Sequence, residues 1–100
     1  MAIVEISVLP MGTDQPSISS YVAACYQALE NETQLKHQLT PMSTIIEGDL
    51  DKIMDAVKKM HKVPFNEGVQ RVVTTVTIDE RTDKSLSMEA AVESVIESTR

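Results

Sequence analysis

Several signatures of common functional classes are missing from this 100-residue sequence. Cys25 is its single cysteine, which excludes an intramolecular disulfide. Nine basic residues are scattered among fifteen acidic ones, for a formal charge of −6, which argues against a nucleic-acid partner. Glycine-rich nucleotide loops and the Gly-x-Ser-x-Gly nucleophile motif are absent, and the histidines and the cysteine do not have the spacing of a metal site. We therefore expect no metal site.

The chain also lacks long apolar stretches. No apolar run approaches the length of a membrane span, and nothing at the N-terminus reads as a signal peptide, so we expect a cytoplasmic protein with no membrane partner. With 42% apolar and 24% charged residues, the composition is that of an ordinary globular chain, here one domain over residues 1–100. A chain of this length encloses one two-layer core without a roomy cavity, which predicts a ligand site on a sheet face or between subunits.

Hydrophobic periodicity predicts the element order βαββαβα. Strands are predicted over residues 2–9, 35–39, 44–47 and 69–79. Ser17 and Asp49 are the expected N-caps of the first two helices, and a third helix begins near Ser87. Pro10 and Pro64 are expected to end the first strand and the second helix. This order predicts an α+β, ferredoxin-like βαββαβ sandwich with a four-stranded antiparallel sheet, two helices on one face and an extra C-terminal helix.

The first and last strands each have one apolar face and one mixed face. Val4, Ile6 and Val8 are predicted to face the helices. The opposite face carries Ile3, Glu5, Ser7, Leu9, Arg71, Val73, Thr75 and Thr77. A face this apolar is a poor surface to leave in water, which predicts a homodimer or homotetramer.

Four residues have chemistry that the sequence leaves open. Glu47 follows an apolar run and is either a strand end reaching water, which its residue type favours, or a buried and partnered carboxylate. His61 is more readily a helix-end histidine than a ligand group. His37 is either solvated or a flat surface for an aromatic ligand, and Cys25 is a small core residue rather than a nucleophile.

Five regions, in the right order, resemble the small thiamine-binding protein family. They read SVLPMGT at residues 7–13, SISSYV at 17–22, TPMSTIIEG at 40–48, MH at 60–61 with GVQRV at 68–72, and DERTDK at 79–84. The resemblance covers almost the whole chain. It implies a ferredoxin-like fold, dimers and tetramers, and binding of thiamine or its hydroxymethylpyrimidine moiety rather than catalysis.

Thiamine joins a cationic thiazolium to a flat aminopyrimidine, so its site needs a carboxylate, hydroxyl groups and a soft apolar surface. On the resemblance, the expected ligand-binding residues are Glu47, Thr44, Ser7, His37, Met42, Leu39, Thr75 and Arg71, with no further cofactor. Thr44 and Glu47 lie on opposite sides of a regular strand, so both reach one ligand only through a bulge or if Glu47 already turns out of the strand.

Two other readings stay open. One is a small regulatory module of the same fold that binds another metabolite. The other is an enzyme in which Glu47 pairs with His61 or Arg71. Arg71 also has a simpler interpretation, as the cross-strand partner of Glu5.

Overall fold

The computed structural model describes residues 1–12 and 19–99, so the expected N-cap Ser17 lies outside the described residues. The elements are β1 (Ala2–Met11), α1 (Ser19–Glu30), β2 (Lys36–Leu39), β3 (Thr44–Gly48), α2 (Leu50–Asn66), β4 (Arg71–Glu80) and α3 (Met88–Ser98). The strands form an antiparallel sheet in the order β2-β3-β1-β4. The predicted α+β, ferredoxin-like fold is therefore confirmed.

Strand alternation separates the two faces of the sheet as predicted. Val4, Ile6 and Ile46 are buried on one face, which we call the helix-covered face. The helices contribute Cys25, Leu29, Ile53, Val57 and Met60 to the same core. Burying each large aliphatic side chain stabilises the fold by about 1.5–3 kcal/mol. The other face, here the open face, carries the exposed residues Glu5, Ser7 and Leu9.

Pro10 lies inside β1, so the prediction that it ends the strand is wrong. It pairs with Val72 of β4, whereas β3 pairs only with residues 2–6 of β1. At Pro10 the edge of β1 that faces β3 is therefore unpaired. Because no described strand accepts a hydrogen bond on that edge, the missing N–H of proline costs no bond to β3. Free edges of this kind are where sheets accommodate proline.

Pro64 likewise lies inside α2, which continues to Asn66, so the prediction that it ends the helix is wrong. The helix begins as predicted, because the Asp49 side chain accepts a hydrogen bond from the backbone N–H of Lys52. Proline in the interior of a helix removes one intrahelical hydrogen bond, and the carbonyl oxygen that loses its donor here is that of Met60. The thiol of Cys25 in α1 donates to that oxygen instead.

The first turn of α3 is attached to the sheet. Ser87 caps the helix, and the backbone N–H of Met88 donates to Glu47 Oε1 at 3.3 Å. Glu89 forms an ion pair with Lys36. From Glu89 to Thr99 every residue is exposed, including three apolar residues that we call the α3 stripe, namely Val92, Val95 and Ile96.

The α3 stripe has no cover among the described residues, although its spacing is that of a buried helix face. The radius of gyration, 14.9 Å, exceeds the roughly 13 Å of a compact 100-residue domain, as expected for a helix that projects from the body. Since apolar helix faces are normally buried, this stripe is a candidate contact surface.

Candidate ligand-binding cleft

A cleft of about 190 Å³ lies between the free edge of β1 and the turn that joins β2 to β3. Its apolar and sulfur-bearing lining consists of Ile6, Val8, Leu9, Val22, Cys25, Leu39, Pro41, Met42 and Met60. Its hydroxyl-bearing lining consists of Ser7, Thr40, Ser43 and Thr44. Among the described strands, β1 is paired only with β4 beyond Ile6, so main-chain polar groups on its other side are also available to a ligand.

The turn beside the cleft is held by the hydroxyl of Thr40. This oxygen accepts from the backbone N–H groups of Ser43 at 3.0 Å and Met42 at 3.3 Å. The backbone N–H of Thr40 donates to the carbonyl oxygen of Ser43 at 2.8 Å, and Pro41 presets one backbone angle. The hydroxyl of Ser43 donates to Glu5 Oε2 at 3.0 Å, which ties the turn to β1.

Four of the sequence-predicted residues line this cleft: Ser7, Leu39, Met42 and Thr44. Thr75 lies outside the lining but pairs with Ser7 across the β1–β4 ladder, on the open face. Thr44 is 7% exposed, and its hydroxyl makes no hydrogen bond to another described residue. A ligand group in the cleft would satisfy it.

Glu47 does not reach the cleft. The β1–β3 register is regular, pairing Ile6 with Thr44 and Ile3 with Glu47, so no bulge brings Thr44 and Glu47 to one side. Glu47 lies on the open face, where it is 7% exposed beneath the first turn of α3 and accepts the Met88 N–H. It is thus a buried, partnered carboxylate rather than a strand end in water.

Arg71 is not among the residues that line the cleft. It pairs with Met11, whereas Glu5 pairs with Thr77, so the two charged residues are separated by six residues of strand, or about 20 Å. Arg71 is therefore not the cross-strand partner of Glu5.

His37 lies on the helix-covered face, two residues before Leu39. Its ring packs edge-on against Tyr26, with centroids 5.1 Å apart. Its Nδ1 atom is buried and has no hydrogen-bond partner among the described residues.

His61 has a structural partner. Its Nδ1 lies 2.6 Å from Thr74 Oγ1, and its ring packs edge-on against Phe65. Because α2 continues five residues further, His61 is not at the helix end as interpreted from the sequence. It reaches β4 from the helix-covered face and Glu47 lies on the open face, so they do not form an acid–base pair.

Cys25 is 5% exposed and donates its thiol hydrogen to the Met60 carbonyl oxygen at 3.3 Å. Burial raises the pKa of the Cys25 thiol, which keeps it protonated and a poor nucleophile. No group of three or more potential metal ligands occurs among the residues described. In the same part of the chain, no helix has the length and apolar character of a membrane span.

Sequence reasoning missed the parts that Thr40, Ser43 and Glu5 play around the cleft. Thr40 and Ser43 flank Pro41, and a threonine before a proline turn is a recognisable side-chain turn signal. Glu5 carried no comparable signal, because its contact with Ser43 spans 38 residues of sequence.

Fold and cleft together define a small ferredoxin-like α+β protein with a candidate binding site at a free strand edge. The chain belongs to the family described as Thiamine-binding protein, whose sequence profile matches residues 4–96. It is 43% identical over 98 residues to the UPF0045 protein YqgV of Bacillus subtilis, which covers 95% of this chain and 94% of that protein. A UPF0045 protein of Staphylococcus xylosus is 44% identical over 98 residues, and the match covers 95% of this chain and 92% of that protein.

Solved structures share the fold. The hypothetical protein MJ1052 of Methanocaldococcus jannaschii matches with a TM-score of 0.87 and 35% identity, covering 96% of both chains. A Thermotoga maritima protein named for a suspected role in thiamine biosynthesis or salvage matches with a TM-score of 0.78, covering 94% of this chain and 97% of its own. At 21% identity the latter likeness is one of fold alone.

Proposed function

We propose that this protein binds thiamine or its hydroxymethylpyrimidine moiety without catalysing a reaction, and that the ring lies in the cleft between β1 and the β2–β3 turn. The family assignment supports the ligand class. The observation that carries the location is the lining, in which Ser7, Leu39, Met42 and Thr44 meet at one cleft.

The lining suits an aminopyrimidine. The hydroxyl of Thr44 and the free edge of β1 offer hydrogen bonds to ring nitrogens and an exocyclic amino group, whereas Ser7 lines the cleft from the opposite, open face of the sheet. Met42 and Leu39 supply soft apolar surface for the ring faces. A polar edge with apolar faces is the pattern of small-molecule sites in general.

The size of the cleft favours one ring. Its volume of about 190 Å³ is below the roughly 300–1,000 Å³ of sites that enclose drug-sized ligands. The pyrimidine is therefore enclosed, and the thiazolium with its side chain lies at the mouth.

A thermal-shift panel of thiamine, its phosphates and its pyrimidine alcohol tests the proposal. A ligand at 100 times its dissociation constant stabilises the fold by about 2.7 kcal/mol, which raises Tm by roughly 10 °C or more for this chain length. Thr44→Val keeps the side-chain shape and removes one hydroxyl, and should weaken binding by about two- to tenfold. Thr82→Val, in the exposed loop after β4, is the matched control and should change nothing.

A regulatory module that binds another metabolite is the alternative. If none of the panel stabilises the protein while an amino acid or nucleotide does, the thiamine proposal is wrong. The cleft lining itself is uncharged among the described residues, which disfavours a nucleotide or a zwitterionic amino acid.

We further propose that the protein is a homo-oligomer in which a second copy covers the α3 stripe and the open-face pair Leu9 and Val73. These two residues are cross-strand neighbours, 44% and 42% exposed. One chain thus presents an apolar helix face and an apolar sheet patch, and both need cover. The cytoplasmic location remains a prediction.

A further inference from the structure

The cleft has no charge of its own for a cationic ligand. None of the described side chains that line it is ionised, since its polar groups are hydroxyls and the Cys25 thiol is protonated. A nearby anion favours a ligand that carries a thiazolium over the pyrimidine alcohol, which has the same pyrimidine but no positive charge.

Glu5 does not line the cleft itself, but it accepts a hydrogen bond from a residue that does. The hydroxyl of Ser43, a lining residue, donates to Glu5 Oε2 at 3.0 Å. Ser43 is itself held by Thr40, whose hydroxyl accepts the Ser43 N–H and lies 3.2 Å from Ser43 Oγ. The carboxylate is therefore oriented beside the mouth of the cleft rather than left to rotate freely.

The charge of Glu5 is not neutralised by the described part of the protein. Ion pairs there involve Lys36, Lys59 and Arg81, none of them with Glu5. Its cross-strand neighbours, Ile45 and Thr77, are uncharged. An exposed carboxylate without a cationic partner favours a cation nearby.

Glu47 is less suited to the same role. It pairs with Ile3, two residues before Glu5 on β1 and on the side away from the turn, and lies about 13 Å of strand from Ser43. Its carboxylate is 7% exposed and already accepts the N–H of Met88. A ligand in the cleft would not reach it.

We propose that Glu5, positioned by Ser43, is the specificity-determining residue that makes the cleft prefer cationic ring ligands of the thiazolium class over neutral ones. The inference rests on the proposed function, because it concerns the same cleft. Glu5 is exposed, so its effect is moderate and falls as salt screens the carboxylate.

Calorimetry with thiamine and its uncharged pyrimidine alcohol tests this at two salt concentrations. Glu5→Gln should weaken thiamine about two- to fivefold at low salt, the range of an exposed ion pair, and leave the pyrimidine alcohol within the error. The loss should shrink at about 0.5 M salt. Ser43→Ala should give part of the same loss. Glu80→Gln, which removes an equal charge at the far end of β4, is the matched control and should have no effect.

The outcomes separate this inference from the proposed function. If the wild type binds neither ligand, the proposed function is wrong and the inference with it. If the wild type binds thiamine and Glu5→Gln binds it equally well, only the inference is overturned. Equal losses for both ligands also overturn it, because they mean that Glu5 acts on the shape of the cleft. A thiamine-specific loss in Glu47→Gln instead assigns the role to Glu47.

Discussion

The thiol of Cys25 donates to the carbonyl oxygen of Met60, at 3.3 Å, the oxygen that would accept the N–H of residue 64 in an uninterrupted helix. Proline at position 64 has no N–H to give. A side chain of α1 thus satisfies the backbone oxygen of α2 that Pro64 leaves without its helical donor.

A double-mutant cycle should show that these two features depend on each other. Cys25→Ala leaves the Met60 carbonyl oxygen buried and unpaired, so it should cost about 1–3 kcal/mol of unfolding free energy. In a Pro64→Ala background the restored N–H satisfies that oxygen, and the cost should fall by at least about 0.5 kcal/mol. Urea denaturation of the four proteins measures both quantities. Strictly additive effects would mean that the thiol contributes packing alone.

Cys25 should also report on the cleft, since it is part of the lining and the single thiol of the chain. Its pKa is raised by burial above the ordinary 9.0, so its thiolate forms only at higher pH, and alkylation at pH 8 should be at least about tenfold slower than for a cysteine peptide. Bound thiamine should slow it further. Mass spectrometry after iodoacetamide treatment gives the alkylation rates. If saturating thiamine does not slow the alkylation of Cys25, the ligand does not lie in this cleft.

The raised pKa has a consequence for stability. The folded thiol holds its proton to a higher pH than the unfolded one, so its contribution is complete below the unfolded pKa and is lost as the pH rises through the folded value. Cys25→Ser has no thiol to titrate, so it should lack this loss of stability at alkaline pH. Unfolding free energies measured against pH for both proteins make the comparison.

The sheet and its two faces could be predicted from the sequence, because period-two alternation in β1 and β4 is a local property of the chain. The same alternation correctly separated Thr44 from Glu47. Pro10 and Pro64 could not be placed, because their tolerance depends on a strand that stops short and on a thiol from another helix. Both are tertiary circumstances that override a local rule.

The candidate cleft was half predictable. Leu39, Met42 and Thr44, which lie around Pro41, were among the ligand-binding residues expected on the resemblance, and all three line the cleft. The covering of Glu47 by Met88 spans 41 residues and the contact of Glu5 with Ser43 spans 38, so no local pattern exposes either. Long-range side-chain contacts of this kind require the fold.

His61→Gln should affect stability and leave ligand binding unchanged. The hydrogen bond between His61 Nδ1 and Thr74 Oγ1 joins α2 to β4, and its loss should cost about 0.5–1.5 kcal/mol. Thr74→Val should cost a similar amount, and the double variant less than the sum, because both remove one contact. Denaturation curves and thiamine titrations on the same samples separate the two effects. Lost binding with an unchanged melting curve would place His61 in the site.

Glu47→Gln tests which of two roles this carboxylate has. As the acceptor for the Met88 N–H at the start of α3, it should contribute about 0.5–2 kcal/mol to stability through charge and dipole, most of which glutamine loses. We expect less α3 protection in hydrogen exchange and unchanged thiamine affinity. A thiamine affinity reduced by about 1.5–3 kcal/mol, with α3 protection intact, would instead show that Glu47 contacts the ligand, as the resemblance implied.

Charge substitutions on the two uncovered apolar surfaces should dissociate the proposed oligomer. Val73→Glu and Val95→Glu each place an unpaired charge in a contact predicted to be buried, which should raise the dissociation constant at least about 100-fold. Both positions are partly exposed within one chain, at 42% and 66%, so each variant should still fold as a monomer. Sedimentation equilibrium measures the mass, with Thr82→Glu in the exposed loop as the control. If the wild type is a monomer at micromolar concentration, the proposed oligomer is wrong. If only one of the two variants dissociates, its position identifies the surface that the second copy covers.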